Sequence, residues 1–222
     1  MHGGVEKDDL KKENIDALKK GMPNLERHIH NIKKFGLEVI VAINHFITDT
    51  DKEVKIIQEQ CSKLGVKVSL CTHWSDGGKG TKDLANNVVE ICKRSDTSKF
   101  KHLYSDQTPI LEKVKKIAKE IYNAKGIEVD EKIKEQVKKI EQAGFGRFPV
   151  CIAKTQYSFS TDPKLKGAPS GHTLTIREVR LSSGAEFVVI VCGSIMTMPG
   201  LPRVPAADSI KLNDKGDIEG LF

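Results

Sequence analysis

The chain has 222 residues, with 36 Lys+Arg against 30 Asp+Glu for a net charge of +6, and 38% hydrophobic residues. These proportions exclude collagen-like and disulfide-scaffold chains, and the length suffices for one large domain or two small ones with a real core. No apolar stretch approaches the roughly 18 residues of a membrane helix, and the mild basicity lies in Lys/Glu-alternating helix faces without the basic–aromatic interleaving of nucleic-acid binders.

The first dozen residues, rich in Gly and charge, read as frayed. Ile15, Leu18, Met22, Leu25, Ile29 and Ile32 then step by three or four, which predicts a helix from Glu13 to Lys34 stopped by Gly36. Leu37–Ile43 is a nearly continuous apolar run, the pattern of a strand covered on both faces in a parallel sheet. Thr48 or Thr50 can cap the next helix, with Asp51 or Glu53 in the capping-box position, and Gly65 ends it. Val66–Cys71 is a second strand, followed by the polar loop Thr72–Gly80 and a helix over Thr81–Cys92. This β-α-β-α order predicts a parallel sheet with right-handed crossovers. Phe46 and Trp74 each follow a strand, so both fall on the carboxyl rim where open α/β sheets bind ligands.

Ser95–Asp106 reads as a linker, and two amphipathic helices follow over Pro109–Asn123 and Asp130–Gln142. Their lysine-rich stretches, Lys113–Lys119 and Lys132–Lys139, read as solvated faces. From Phe148 short β-like runs alternate with Gly/Pro/Ser segments, at Val150–Ala153, Thr173–Leu181 and Phe187–Val191. The organisation expected is an α/β segment over 1–100, a helical connection over 101–147 and a smaller α+β domain over 148–222. Arg177 and Arg180, three apart on one strand, are expected on opposite faces. The five cysteines, Cys61, Cys71, Cys92, Cys151 and Cys192, are odd in number and lack metal-knuckle or redox spacing. They point to a reducing, cytoplasmic setting, with Cys71, Cys151 and Cys192 as small hydrophobes in apolar runs.

Trp74 is the only tryptophan. It is either a core anchor or, with Phe46, one of two aromatic plates that stack on a planar heterocycle. His45 and His73 lie on the same rim. Gly77-Gly78-Lys79-Gly80-Thr81 lacks Walker A spacing; it is either a flexible turn before a helix or a set of backbone amides that meets an anion.

The strings VAINHFITDT (41–50), THWSDGGKG (72–80), FPVCIAKTQYSFSTDP (148–163), REVRLSSGA (177–185) and IMTMPGLPRVPAADSI (195–210), with the ending Gly220-Leu221-Phe222, resemble formate–tetrahydrofolate ligase over essentially the whole chain. The texture is closer to the free-standing bacterial enzyme than to the trifunctional eukaryotic one. The resemblance implies a segment of a P-loop NTPase-like fold whose P-loop lies elsewhere, because it covers the carboxyl-terminal portion only. It implies an enzyme that joins formate to tetrahydrofolate with ATP and Mg2+, through a formyl phosphate, activated by a monovalent cation and assembled as a homotetramer. It assigns Phe46 and Trp74 to the pterin platform, with Asn44 and His45 at its polar edge. It further nominates Gly77, Gly78 and Lys79 for an anionic group, and the loops around Pro169, Ser170, Met198 and Pro199 as nucleotide-adjacent. Three positions depart from the family pattern: His45 for Arg, Glu186 for Gly and Ser194 for Asp. The partners implied are the three substrates, the missing amino-terminal portion or further subunits of the family. A non-catalytic folate-binding or assembly module is the alternative, since no phosphate loop is present.

Overall fold

A computed structural model of the chain describes residues 1–195, 203–216 and 218–220. Helix α1 (Ile15–Lys33) starts at Asn14, whose side chain accepts from the Ala17 amide, and it continues through Pro23. Strand β1 (Ile40–Asn44) and strand β2 (Lys67–Cys71) pair in parallel, Ile40 opposite Lys67 and Asn44 opposite Cys71. Helix α2 (Asp51–Lys63) crosses between them from a complete capping box, Thr50 with Glu53. Ile29, Cys61 and Val66 form a small core on one face of the strands, with Leu25, Val41, Ile57 and Val68 packed against it. On the other face lies α4 (Lys82–Arg94). Its contact with β2 is polar: Ser69 Oγ donates to Asp83, and Asn87 Nδ2 donates to Ser69 Oγ.

The expectation that β1 is covered on both faces therefore holds for one face. Ala42 and Asn44 are exposed, because α4 lies over β2 and, among the described residues, this sheet has only two strands.

The second sheet has the order β3-β5-β6-β4, from β3 (Gly126–Glu128), β4 (Val150–Ala153), β5 (Thr173–Ser182) and β6 (Phe187–Cys192). Only β5 and β6 run antiparallel to each other. Helices α5 (Ile110–Glu120) and α6 (Glu131–Ile140) bury Ile110, Val114, Ala118, Ile133, Val137 and Ile140 against Leu174, Ile176, Val179 and Ile190. The helices expected as a connection thus share one core with the strands that follow. A short antiparallel pair, β7 (Lys211–Leu212) with β8 (Ile218–Glu219), closes the described chain. The architecture is α/β, with one parallel and one mixed sheet.

Several sequence expectations are corrected. The start of the chain is held in place: Gly167 N donates to His2 Nδ1 at 3.1 Å. A Cβ on Gly3 would stand 1.8 Å from the Ala17 carbonyl oxygen, so only glycine fits there. Lys113 is fully buried and not on a solvated face. β5 is irregular between Ile176 and Glu178, which turns both Ile176 and Val179 inward. Arg177 and Arg180 are consequently both exposed, the former donating to the Ile195 carbonyl and the latter paired with Glu178. Cys151 is exposed on β4, while Cys61 in α2 is buried.

Glu186 sits at φ 58°, in the left-handed region, at the turn between β5 and β6. A non-glycine residue there costs roughly 1–2 kcal/mol, part of which glycine returns through its freer unfolded state. Glu186→Gly is expected to raise stability by about 0.5–1 kcal/mol in urea unfolding; a lower midpoint would show that the Glu186 side chain contributes more than its backbone loses.

Candidate functional site

The parallel register sets the site. Asn44 and Cys71 are level at the ends of β1 and β2, and the His45 amide donates to the Cys71 carbonyl at 3.0 Å, extending the pairing by one residue. Phe46 and Trp74 follow at once on the same rim. The Phe46 amide donates to Asp49 Oδ2 at 2.9 Å, which fixes the turn. Phe46 is 48% and Trp74 73% exposed, so Trp74 is not a core anchor. Their ring centroids lie 6.2 Å apart with the planes at 42°. Two parallel plates holding a third ring need about 7 Å, twice the optimal carbon–carbon separation. As they stand, the rings touch each other and offer their outer faces.

The segment expected as an irregular loop is two tight helical turns. A short helix α3 (His73–Asp76) runs into a 3-10 turn over Gly77–Thr81. The segment closes on itself: the Thr72 amide donates to the Gly80 carbonyl at 3.1 Å, and Thr72 Oγ1 donates to Asp76 Oδ2 at 2.6 Å. Gly80 lies so close to the Thr72–His73 backbone that a Cβ would come within 2.5 Å of the Thr72 carbonyl carbon. Gly77 takes φ 55°, ψ −139°, a conformation open to glycine. Gly78 and Lys79 are exposed near Trp74 in sequence; α4 starts with no side-chain cap, and its first amide, that of Lys82, donates to the Lys79 carbonyl of the preceding turn.

The aromatic pair, Asn44, His45 and the glycine turn are thus brought to one rim. Sequence reasoning missed Asp49 and Asp76, which with Gly80 shape the two loops. It also missed Ile47, an almost fully exposed apolar residue beside Phe46. Asp three residues past Phe46, and Asp four past Thr72, carry the pattern of side chains that close local turns.

Pro169 and Ser170 lie elsewhere. Their loop is seated on the middle of α1: Arg27 donates to the carbonyls of Tyr122, Ala168 and Pro169, and Asn24 donates to that of Gly167. Asn14, at the start of α1, is bonded to Glu53 at the start of α2. Arg27 is thirteen residues further along the helix, about 20 Å from Asn14 at 1.5 Å per residue. Beneath it the Arg27 guanidinium lies 5.3 Å from the Phe159 ring centre, and Lys154 Nζ 4.8 Å from that of Tyr122. Burial pushes the Lys154 ammonium down to about 8, while its protons go to the Thr155 and Ser158 carbonyls. Burial, with Lys154 and Arg27 close by, also holds His28 and His172 below the ordinary histidine value. Met198 and Pro199 lie outside the described residues. Among the described residues no three His, Cys, Asp or Glu side chains come together as a metal site, and no helix is long and apolar enough to cross a membrane.

A model of the formate–tetrahydrofolate ligase family matches residues 1–222. The formate–tetrahydrofolate ligase of Pelagibacter ubique is 65% identical over 222 residues, those of Roseobacter denitrificans and Hyphomonas neptunium 58% identical over 222 and 221 residues. In each case this whole chain is covered, against 39–40% of the relative; the chain spans about two-fifths of the curated relatives it matches. With a family match from its first residue to its last and relatives this similar, the chain belongs to the formate–tetrahydrofolate ligase family.

Proposed function

We propose that this chain supplies the folate side of an ATP-dependent ligase that joins formate to tetrahydrofolate. Phe46 and Trp74 stack on the pterin, Asn44 and His45 meet its polar edge, and Gly77, Gly78 and Lys79 receive an anionic group. One observation carries the reading: two large aromatic rings stand exposed together at the carboxyl rim of a parallel sheet, where such sheets bind ligands. In this reading residues 15–94 are part of a larger P-loop NTPase-like sheet, and 110–192 form a second packing unit. The Gly167, Ala168 and Pro169 carbonyls seat α1. Mg2+ enters with the nucleotide and is inferred from the family. Nucleotide handling, the cation activator, a tetramer and a cytoplasmic setting belong to the whole enzyme and are inferred from the family.

Trp74, the single tryptophan, makes the test direct. Titrating the chain with tetrahydrofolate is expected to quench its fluorescence saturably, with competition by a non-fluorescent pterin. Trp74→Ala, followed by calorimetry, is expected to weaken binding by at least about 1 kcal/mol, roughly fivefold. An affinity equal to that of the unaltered chain removes the platform assignment.

A further inference from the structure

A cavity of about 540 Å³ lies between the two packing units, walled by Phe35, Tyr104, Ile117, Ile121, Tyr122 and Ile152. Close-packed interiors hold few voids larger than a water molecule. An apolar cavity of about 150 Å³ takes up benzene, so this one has room for a molecule of roughly two rings. Its walls are fixed. The Lys101 amide donates to the Phe35 carbonyl at 3.1 Å, and a Cβ on Gly36 would stand 2.0 Å from the Lys99 carbonyl oxygen. The segment between α4 and α5 is thus pinned to the end of α1. Further on it is pinned to the second sheet, where Tyr104 Oη accepts from the Val150 amide at 3.1 Å. The polar groups on this side are few. β4 is an edge strand. The Val188 amide donates to the Pro149 carbonyl, so in this parallel pairing Pro149, Cys151 and Ala153 bond to β6, while Val150 and Ile152 turn their backbone groups off the free edge. Tyr104 takes the Val150 amide and keeps its own proton to donate. The Ile152 N–H and C=O stand on the same edge. Tyr122 Oη has no hydrogen-bond partner among the described residues, and burial pushes this phenol up to about 12, so it stays protonated. Among the described residues the lining includes Asp106 but no Lys or Arg, which disfavours an anion.

We infer that this cavity is a second small-molecule site, which takes a flat, uncharged heteroaromatic compound whose edge offers a hydrogen-bond donor and acceptor to the Ile152 backbone and the two phenols. Apolar and aromatic walls with a few placed polar groups are the usual make-up of such sites. A strand of another chain fits less well, because Tyr104 already occupies the Val150 amide and interrupts a ladder along β4. Phe35 follows the carboxyl end of α1, whereas Asn14 at the other end bonds to the start of α2. The site is thus distinct from the Phe46–Trp74 rim, and the inference stands or falls independently of the pterin assignment.

Carbostyril, an uncharged two-ring lactam with adjacent N–H and C=O groups, is the probe, and N-methylcarbostyril, which lacks the donor, is its control. Calorimetry on the chain is expected to show one saturable site for the lactam with Kd below about 1 mM, and binding of the methylated compound about fivefold weaker or worse, since it leaves a polar group of the cavity unpaired. Ile117→Trp and Ile121→Trp, each with unchanged circular dichroism, fill the space and are expected to weaken binding at least about tenfold. Trp74→Ala is expected to leave it unchanged. Amide resonances, followed by nuclear magnetic resonance on the unaltered chain, keep the test independent of how the variants fold: those of Val150 and Ile152 are expected to move on titration, and those of Asn44 and His45 to stay. Four results overturn the inference: no saturable binding, equal affinity for the methylated lactam, binding that survives both tryptophan substitutions, or a response confined to the rim and lost in Trp74→Ala.

Discussion

Lys113→Ala is expected to destabilise the second packing unit by about 3–5 kcal/mol, a value at the upper end for single substitutions. Lys113 is fully buried on α5, on the same side as Ile110 and Val114. Its ammonium donates to the Gly146 carbonyl at 2.9 Å and to the Phe148 carbonyl at 2.8 Å, just ahead of β4, and lies 5.8 Å from the centre of the Tyr104 ring. Burial lowers its pKa, and Asp106 and Glu141 partly restore the charged form. Alanine empties the space of a long aliphatic stem and strands two carbonyls together. Lys113→Met refills most of the space and leaves the carbonyls unpaired, so it is expected to cost roughly 1–3 kcal/mol. Urea unfolding followed by circular dichroism checks both. A shift under about 1 kcal/mol for alanine would mean that water reaches the two carbonyls at no cost.

Leu174→Ala is expected to cost about 2–5 kcal/mol. Leu174 lies on β5, pairs with Ile127 of β3 and has no exposed surface. It stands in the cluster that joins both helices to the sheet, where a close-packed interior relaxes only partly around a void. Circular dichroism reports this loss over the whole chain, whereas Trp74 fluorescence reports the unit around β1 and β2. The fluorescence transition is expected to move less than the dichroism transition. Equal shifts in both signals would show that Arg27 and Asn24, which tie α1 to the 167–169 loop, make the two units one cooperative body.

The parts legible in the sequence were those that short-range patterns determine. The apolar run at β1, the Thr50–Glu53 cap and the glycine stops fixed β1-α2-β2, and the strand ends put Phe46 and Trp74 on one rim. What failed needed partners distant in sequence. Three residues of β3 hold no periodic signal and become a strand because Ile127 meets Leu174. Lys113 counts as polar in any pattern, and only the Gly146 and Phe148 carbonyls explain its burial. The irregularity in β5 breaks the two-residue alternation on which the two arginines were assigned. At the site, residue types and order were legible, but the 6.2 Å spacing and 42° tilt depend on how the Thr72–Gly80 turn folds on itself. That the Pro169 loop packs on α1 was not legible, because its partner, Arg27, is about 140 residues away.

The closed posture of the two rim rings also governs the time course of capture. A heterocycle that enters between them waits for Phe46 and Trp74 to part, so its observed association rate levels off at the rate of opening as ligand concentration rises. Its apparent affinity falls in proportion to the fraction of molecules already open. A heterocycle that lies on the outer face of Trp74 meets no such ceiling, because that face is already bare.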